Sequence, residues 1–453
     1  MKRIISICLI LVICLTFSSC DFSINSIDTL MRPPKLSGES NLLQVAFENS
    51  LDSSDSVIMK NPISGDNRSS FLFYDLDNDD SQEAFAFYSD PSISDTAYFS
   101  IFKKVSEEWV RVANIKGRGE EIYEIDFADL NGDGIFEIII SWTFLTAFEK
   151  NISNSFSNIS DRVLTVYSYT EKETALITTE YFTKIFVDDF NNDKCEEILL
   201  LNINLANIEN RTTARLLSFD YDYLVDRDIT LTLSNMIDIY NINIATDNSS
   251  DSTRIYIDGL INENTLITEV VEIKHEDFST ILPLYESNTA EIPLTARGSH
   301  IFSCDIDNDG IVEIPTHEIM PNAVNISNNS SELTPLSLTV WSEINENELL
   351  VDFKCLYNVS CNYYYEISES WSNNVSITYN TDSSVLSFFD ISAGESEKVE
   401  IISFKVFNTN EWDDYNGKYT KFLQDGILVY TYIFNSNSGY SEATLLKNFV
   451  IVD

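Results

Sequence analysis

Ile125-Asp126-Phe127-Ala128-Asp129-Leu130-Asn131-Gly132-Asp133-Gly134-Ile135-Phe136-Glu137-Ile138-Ile139-Ile140 reads as an apolar strand, an acidic turn and a second apolar strand. Counted from Asp129, acids or Asn occupy positions 1, 3, 5 and 9. Three other stretches repeat the pattern. Phe71–Tyr74 leads into Asp75, Asp77, Asp79 and Glu83; Ile185–Asp188 into Asp189, Asn191, Asp193 and Glu197; Ile301–Cys304 into Asp305, Asp307, Asp309 and Glu313. Successive turns start 54, 60 and 116 residues apart, and the last spacing is twice 58. A degenerate repeat is therefore expected near residues 245–260. Ser252–Val271 fits that slot, strand-like around Ile255-Tyr256-Ile257 but without the acids.

The spacing suits a hard cation. Carboxylates at alternate positions of a tight turn converge on one point, position 7 can offer its carbonyl, and an acid at position 9 closes the shell. Calcium takes about six to eight such oxygens. All sixteen residues named above at positions 1, 3, 5 and 9 are thus candidate calcium ligands. Position 6 needs a positive φ, which Gly134 and Gly310 supply and Asp80 and Lys194 do not favour. The second and fourth loops should be the best sites and the third, with Lys194, the weakest. An EF-hand is excluded, because its position 12 is a bidentate Glu, and here that position is Ala86, Ile140, Leu200 or Thr316.

An Asp-x-Asp/Asn-x-Asp-Gly-x-x-Glu loop between strands, recurring near 58 residues, resembles the FG-GAP and VCBS repeats. These build the β-propeller of integrin α subunits and of many bacterial surface proteins. The resemblance covers roughly residues 56–345, although the Phe-Gly and Gly-Ala-Pro elements of the family are not evident. It implies a mainly β fold in which about five repeats each form one four-stranded blade. Calcium would then stiffen the turns rather than act as a catalytic metal. Period-two alternation in Val163–Tyr169 agrees with a further hairpin after the acidic turn. Polar inserts such as Glu149–Ser160 should be loops.

Residues 1–20 form a targeting segment. Lys2 and Arg3 precede an apolar run, Ile4–Phe17, that is too short to span a bilayer. Phe17-Ser18-Ser19-Cys20 resembles a bacterial lipobox, with Phe where Leu is usual. That resemblance implies diacylation of Cys20, and two acyl chains anchor a protein stably. With Met31–Glu39, the chain also looks like a group of lipoproteins from Gram-positive anaerobes. The expected location is extracytoplasmic, on the outer face of the cytoplasmic membrane. Residues 21–55 read as a tether, broken by Pro33-Pro34, and a short helix near Asn41–Leu51 with Leu42, Val45 and Ala46 at helical spacing. Cys195, Cys304, Cys355 and Cys361 can pair in three ways or stay as thiols.

Residues 346–453 leave the repeat and read as a small α+β domain. Strands are expected at Asn362–Ile367, Val375–Tyr379, Val385–Phe389, Val399–Phe407 and Ile427–Phe434. A helix capped by Thr409 is expected within Thr409–Gln424. Its aromatics (Tyr363, Tyr364, Tyr365, Trp371, Phe388, Phe389, Trp412) fit either a core or a binding face.

The chain has 72 Asp+Glu against 28 Lys+Arg, a net charge of −44. That excess excludes nucleic acid as a partner. No nucleophile elbow or phosphate-binding glycine loop is present; Gly117-Arg118-Gly119 lacks a third glycine, and the three His are scattered. With the propeller resemblance, which implies a binding role, the expectation is a monomeric, non-catalytic surface protein that binds a protein or glycan ligand. The alternatives are a polysaccharide hydrolase or lyase, and a structural envelope component.

Overall fold

The computed structural model describes residues 38–51, 57–92, 94–144, 162–170, 173–205, 207, 211–220, 225–247, 252–275, 277–282, 292–298, 301–345, 348–368, 371 and 374–452. The expected targeting segment with Cys20, residues 21–37 of the expected tether and the insert at 149–160 lie outside them. The fold is mainly β and divides into two compact units. Residues up to 61, 69–75 and 80–116 form the first; 62–68, 76–79 and 117–453 form the second.

The first unit holds helix α1 (Glu39–Asn49) and a sheet of β1 (Ile58–Met59), β2 (Phe71–Tyr74), β3 (Glu83–Asp90), β4 (Ser94–Val105) and β5 (Glu108–Lys116). The helix lies where its apolar spacing placed it, but another face is buried. Leu43 and Phe47 are buried, whereas Leu42 and Val45 are about half exposed. Phe47 decides the rotation, because its ring packs edge-on against Tyr88 at 5.0 Å and Phe71 at 6.0 Å. An aromatic ring buries more apolar area than Val45 could.

The second unit contains three four-stranded antiparallel meanders. The second sheet is β6 (Glu121–Ala128), β7 (Glu137–Thr143), β8 (Arg162–Tyr169) and β9 (Thr174–Phe182). The third is β10 (Lys184–Asp188), β11 (Glu197–Ile203), β12 (Thr212–Phe219) and β13 (Val225–Thr232). The fourth, β14 (Asp238–Asp247), β15 (Ser252–Asn262), β16 (Thr265–Lys274) and β17 (Asp277–Leu282), is the degenerate repeat in its expected slot.

Strand β11 shows why the segments after the acidic turns are continuously apolar. Side chains alternate across a strand. Ile198 and Leu200 pack in one cluster with Ile139, Leu164 and Val166 of the second sheet. Leu199 and Leu201 pack in another with Ile255 and Ile257 of the fourth. Both faces of the sheet are covered, so no position is left for a polar residue. By contrast, β5 alternates between exposed and half-buried positions.

Gly117 and Gly119 serve packing. A Cβ on Gly117 would meet the Trp142 ring at 2.3 Å, and one on Gly119 the Thr143 carbonyl at 2.6 Å. Gly117→Ala is expected to cost about 1–3 kcal/mol by overpacking, read as a lower urea midpoint with unchanged slope.

The fifth sheet has ten strands in the order β25-β26-β24-β23-β22-β18-β19-β20-β21-β27. They are β18 (Ile314–Ser327), β19 (Ser330–Asn345), β20 (Glu348–Asn358), β21 (Tyr363–Glu366), β22 (Val375–Asn380), β23 (Val385–Asp390), β24 (Val399–Asn408), β25 (Thr420–Asp425), β26 (Leu428–Phe434) and β27 (Phe449–Ile451). The boundary expected at 345/346 falls inside this sheet. The register of β18 on β19 breaks between Ile319 and Val324, around Pro321, which has no N–H to donate. Beyond the break, Ala323–Ile326 also pairs in parallel with Ile377–Asn380. The five C-terminal strands expected from the sequence all form. The helix expected within Thr409–Gln424 forms as α2, Thr409–Asp413, but its cap is Asn408, in a capping box with Glu411, instead of Thr409, and β25 follows. A helix α3 (Glu442–Lys447) and β27 were not foreseen. Tyr363, Tyr364, Tyr365, Trp371 and Phe388 are buried in the core, with Tyr363 stacked on Phe449 at 4.5 Å. Phe389 and Trp412 stay half-buried. Cys195, Cys304, Cys355 and Cys361 are all free thiols.

Glu269 on β16 is buried and accepts the Ser234 N–H at 2.7 Å. Burial pushes its carboxyl up to about 7. A raised folded value means its contribution is fully present below the unfolded carboxyl value and is lost as pH rises through about 7. Replacing it by Gln should flatten the fall in stability between pH 4.5 and 7 that this group causes, by up to about 3 kcal/mol. Urea unfolding of both forms at fixed calcium measures it.

Candidate functional site

The acidic turns are built alike. Position 2 is a buried apolar anchor in each: Leu76, Leu130, Phe190 and Ile306. The Asp at position 1 then accepts two backbone N–H groups. Asp129 takes those of Asp133 (3.1 Å) and Gly134 (2.9 Å); Asp189 those of Asp193 (3.1 Å) and Lys194 (2.9 Å); Asp305 those of Asp309 (3.0 Å) and Gly310 (2.9 Å). Position 5 caps position 7, as in Asp133 to the Ile135 N–H and Asp309 to the Ile311 N–H, both at 2.8 Å. These Asx turns explain why the chain bends here with little glycine.

Two positions take positive φ. Position 6 does so in every loop, and Asp80 (φ 65°) and Lys194 (φ 78°) adopt it alongside Gly134 and Gly310. Position 4 does too, through Asn78, Gly132, Asn192 and Asn308. Sequence reasoning missed position 4, though the signal was legible: every occupant is Asn or Gly, the residues that tolerate the left-handed region. Lys194→Gly should remove about 1 kcal/mol of strain and a positive charge from the third loop. Calcium titration by calorimetry should show tighter binding in that variant.

The position-9 glutamates open the following strands, or in the case of Glu313 directly precede one, and are buried. Each of Glu137, Glu197 and Glu313 accepts the position-2 N–H, from Leu130 (2.9 Å), Phe190 (3.1 Å) and Ile306 (2.9 Å). Burial is the main cause pushing Glu137 up to about 8 and Glu313 to about 7, with the neighbouring Asp charges adding to it. Glu137 Oε1 is buried without a hydrogen-bond partner. That desolvated oxygen has no donor to satisfy it, so a proton or a hard cation suits it.

The loops differ in how far their acids converge. Asp305, Asp307, Asp309 and Glu313 each place a carboxylate oxygen within 4.8 Å of the others. This acidic cluster could hold a metal ion. In the third loop the Asn191 amide instead donates to Asp193 (3.0 Å) and Glu197 (2.9 Å). In the second, Asn131 donates to Asp133 at 3.3 Å. Among the described residues, neither of these loops gathers three acids as tightly as the fourth. An Asn at position 3 puts N–H donors between carboxylates; Asp307 does not. In the first loop, Asp75 and Glu83 belong to the first unit. Asp75 accepts the Asp80 N–H at 3.0 Å and places an oxygen within 4.8 Å of one from buried Glu83.

A cleft of about 540 Å³ opens between β6 and β10, the first strands of the second and third sheets. Glu124, Asp126, Asp188 and Glu196 line it, with Arg162, Lys184 and Tyr123. The Arg162 guanidinium lies over the Tyr123 ring at 3.9 Å and donates to the Thr183 carbonyl at 3.1 Å. Burial, then the neighbouring Asp126, raises Glu124; burial, then Asp66, raises Asp126. None of these acids was singled out from the sequence as a site residue. Only the fold separates them from the surface acids around them.

No family model and no curated protein matches the chain. Solved structures do. A levansucrase variant from B. megaterium is 10% identical over 68% of this chain and 93% of its own, at a TM-score of 0.25. A rhamnogalacturonan lyase from Bacillus licheniformis is 10% identical over 65% and 68%, at 0.28. An exo-β-1,3-galactanase from Phanerochaete chrysosporium is 10% identical over 81% and 82%, at 0.26. Likeness at this level says nothing about the activity of the chain.

Proposed function

We propose that this protein is a lipid-anchored, extracytoplasmic surface protein that binds a protein or glycan ligand on a calcium-stiffened β-propeller. The propeller has about five repeats and is followed by the small α+β region. The observation that carries the calcium reading is the convergence of Asp305, Asp307, Asp309 and Glu313, an oxygen-only donor set with no His or Cys among them. The blade reading rests on the repeat spacing and on four-stranded meanders that pack face to face. Calcium would be held by these loops and would fix the turns. Anchoring is tested by feeding a labelled fatty acid to cells making the full chain. The native protein should carry label and sediment with membranes, and Cys20→Ala should do neither. Label on the variant would refute the anchor.

The second reading is a polysaccharide hydrolase or lyase. It is favoured by Glu124 and Asp126, two acids on one strand face whose carboxyls are held above the usual range within a cleft. Release of new reducing ends from cell-wall polysaccharide, abolished by Glu124→Gln, would establish it. Equal release by both forms would remove it.

A further inference from the structure

We propose that the cleft between β6 and β10 is a binding site for a cationic amino-sugar oligomer, such as linked glucosamine units. The inference rests on the ligand-binding reading above and names its ligand class.

Charge comes first. Four carboxylates line the cleft against two cationic side chains. Arg162 lies over the Tyr123 face and donates to the Thr183 carbonyl, and its charge, with that of Arg68, partly offsets Glu124. Asp66 adds a further negative charge close to Glu124 and Asp126. Glu196 Oε2 is buried without a hydrogen-bond partner. Five carboxylates, Asp66 included, thus face three cations, Arg162, Lys184 and Arg68, and a positively charged ligand relieves that excess where an anionic one adds repulsion.

Shape narrows the cation. Among the described residues, the cleft acids do not gather within 4.8 Å as the fourth loop's do, so the site suits spread charge better than one metal ion. A strand-adding basic peptide is disfavoured at the β6 edge. The Ile63 and Ser64 N–H groups already take the Tyr123 carbonyl, the Asn67 amide takes that of Ile125, and the β6–β7 register shifts between Ile122 and Glu124. An amino sugar needs no strand register. Its hydroxyls donate and accept, its ring faces pack on apolar walls such as Phe127 and Phe186, and its ammonium groups meet the carboxylates.

The test is calorimetry on the full chain with glucosamine hexasaccharide, its N-acetylated counterpart and hexalysine. Salt of about 0.3 M screens attraction to the acidic surface as a whole. Glu124→Gln with Asp126→Asn is compared with Glu397→Gln, an exposed acid outside the cleft. The glucosamine oligomer should bind at least about tenfold more tightly than the N-acetylated one. The cleft variant should lose about tenfold, and Glu397→Gln nothing. Binding that ignores the cleft variant would overturn the site. Equal binding of both sugars would overturn the cationic class, and equally tight hexalysine, lost in the same variant, would assign a basic peptide instead. A cooperative melting transition on the same samples shows that each variant is folded, and its shift with calcium reports the calcium reading separately.

Discussion

Adding about 10 mM calcium is expected to raise the melting temperature by several degrees, and a chelator should reverse it. Extracellular calcium modules bind at about 0.1–1 mM. A ligand at a hundredfold its Kd stabilises the native state by about 2.7 kcal/mol. For a unit of about 350 residues that is roughly 4 °C. The fourth loop should supply most of it, because Asp305, Asp307, Asp309 and Glu313 converge without a donor between them. Asp307→Asn would insert the kind of amide that Asn191 places between Asp193 and Glu197, and should remove much of the shift. Asn191→Asp should enlarge the third loop's share. The shift should also grow with pH. Burial favours a proton on Glu137, held near pH 8, and on Glu313, held near 7, and a cation must displace it. Differential scanning fluorimetry at pH 5.5 and 8 measures all of this. An unchanged melting temperature in the native chain would remove calcium from every loop.

Asp258→Ala should cost about 3–5 kcal/mol, the usual penalty for leaving one member of a buried ion pair uncompensated. Asp258 and Arg297 have fully buried side chains and meet at 2.7 Å. The pair sits in a filled network. Asp258 also accepts from the Ser303 N–H and hydroxyl, both at 2.8 Å, and from the Asn241 amide at 3.0 Å. Arg297 donates to the Ile301 carbonyl (2.7 Å), the Thr268 hydroxyl (2.9 Å) and the Thr295 carbonyl (3.0 Å). These bonds tie residues 295–297 and 301–303 to the fourth sheet, the repeat whose turn has lost its acids. Urea unfolding at fixed calcium reads the loss. Pairing Asp258→Leu with Arg297→Met should recover part of it, because a packed apolar pair carries no desolvation penalty. A single variant within about 0.5 kcal/mol of native would show that the network contributes little.

Much of the fold was legible because its strands are local and its turns are chemical. Asp, Asn and Gly at fixed places bend the chain through their own side-chain hydrogen bonds, and runs such as Ile198–Leu201 announce a strand covered on both faces. The fourth sheet could be placed by spacing alone. Choices among equivalent apolar residues were not legible: Leu43 and Phe47, rather than Leu42 and Val45, face the core because of what stands opposite them. The extent of the fifth sheet was hidden for the same reason. Parallel pairing of Ala323–Ile326 with Ile377–Asn380 joins segments more than fifty residues apart, and no local pattern encodes it.

The sequence by itself determined the acidic turns, because their side-chain hydrogen bonds run within nine residues. The tertiary structure alone decided which acids differ from the rest. Glu137 is perturbed because a strand buries it, and Glu124 and Asp126 because a cleft buries them close to each other and to Asp66, while Asp258 is set apart by the buried Arg297 folded against it. Acidity is a property of composition, but the free energy of a charge depends on its solvent and its neighbours, and only the fold supplies those.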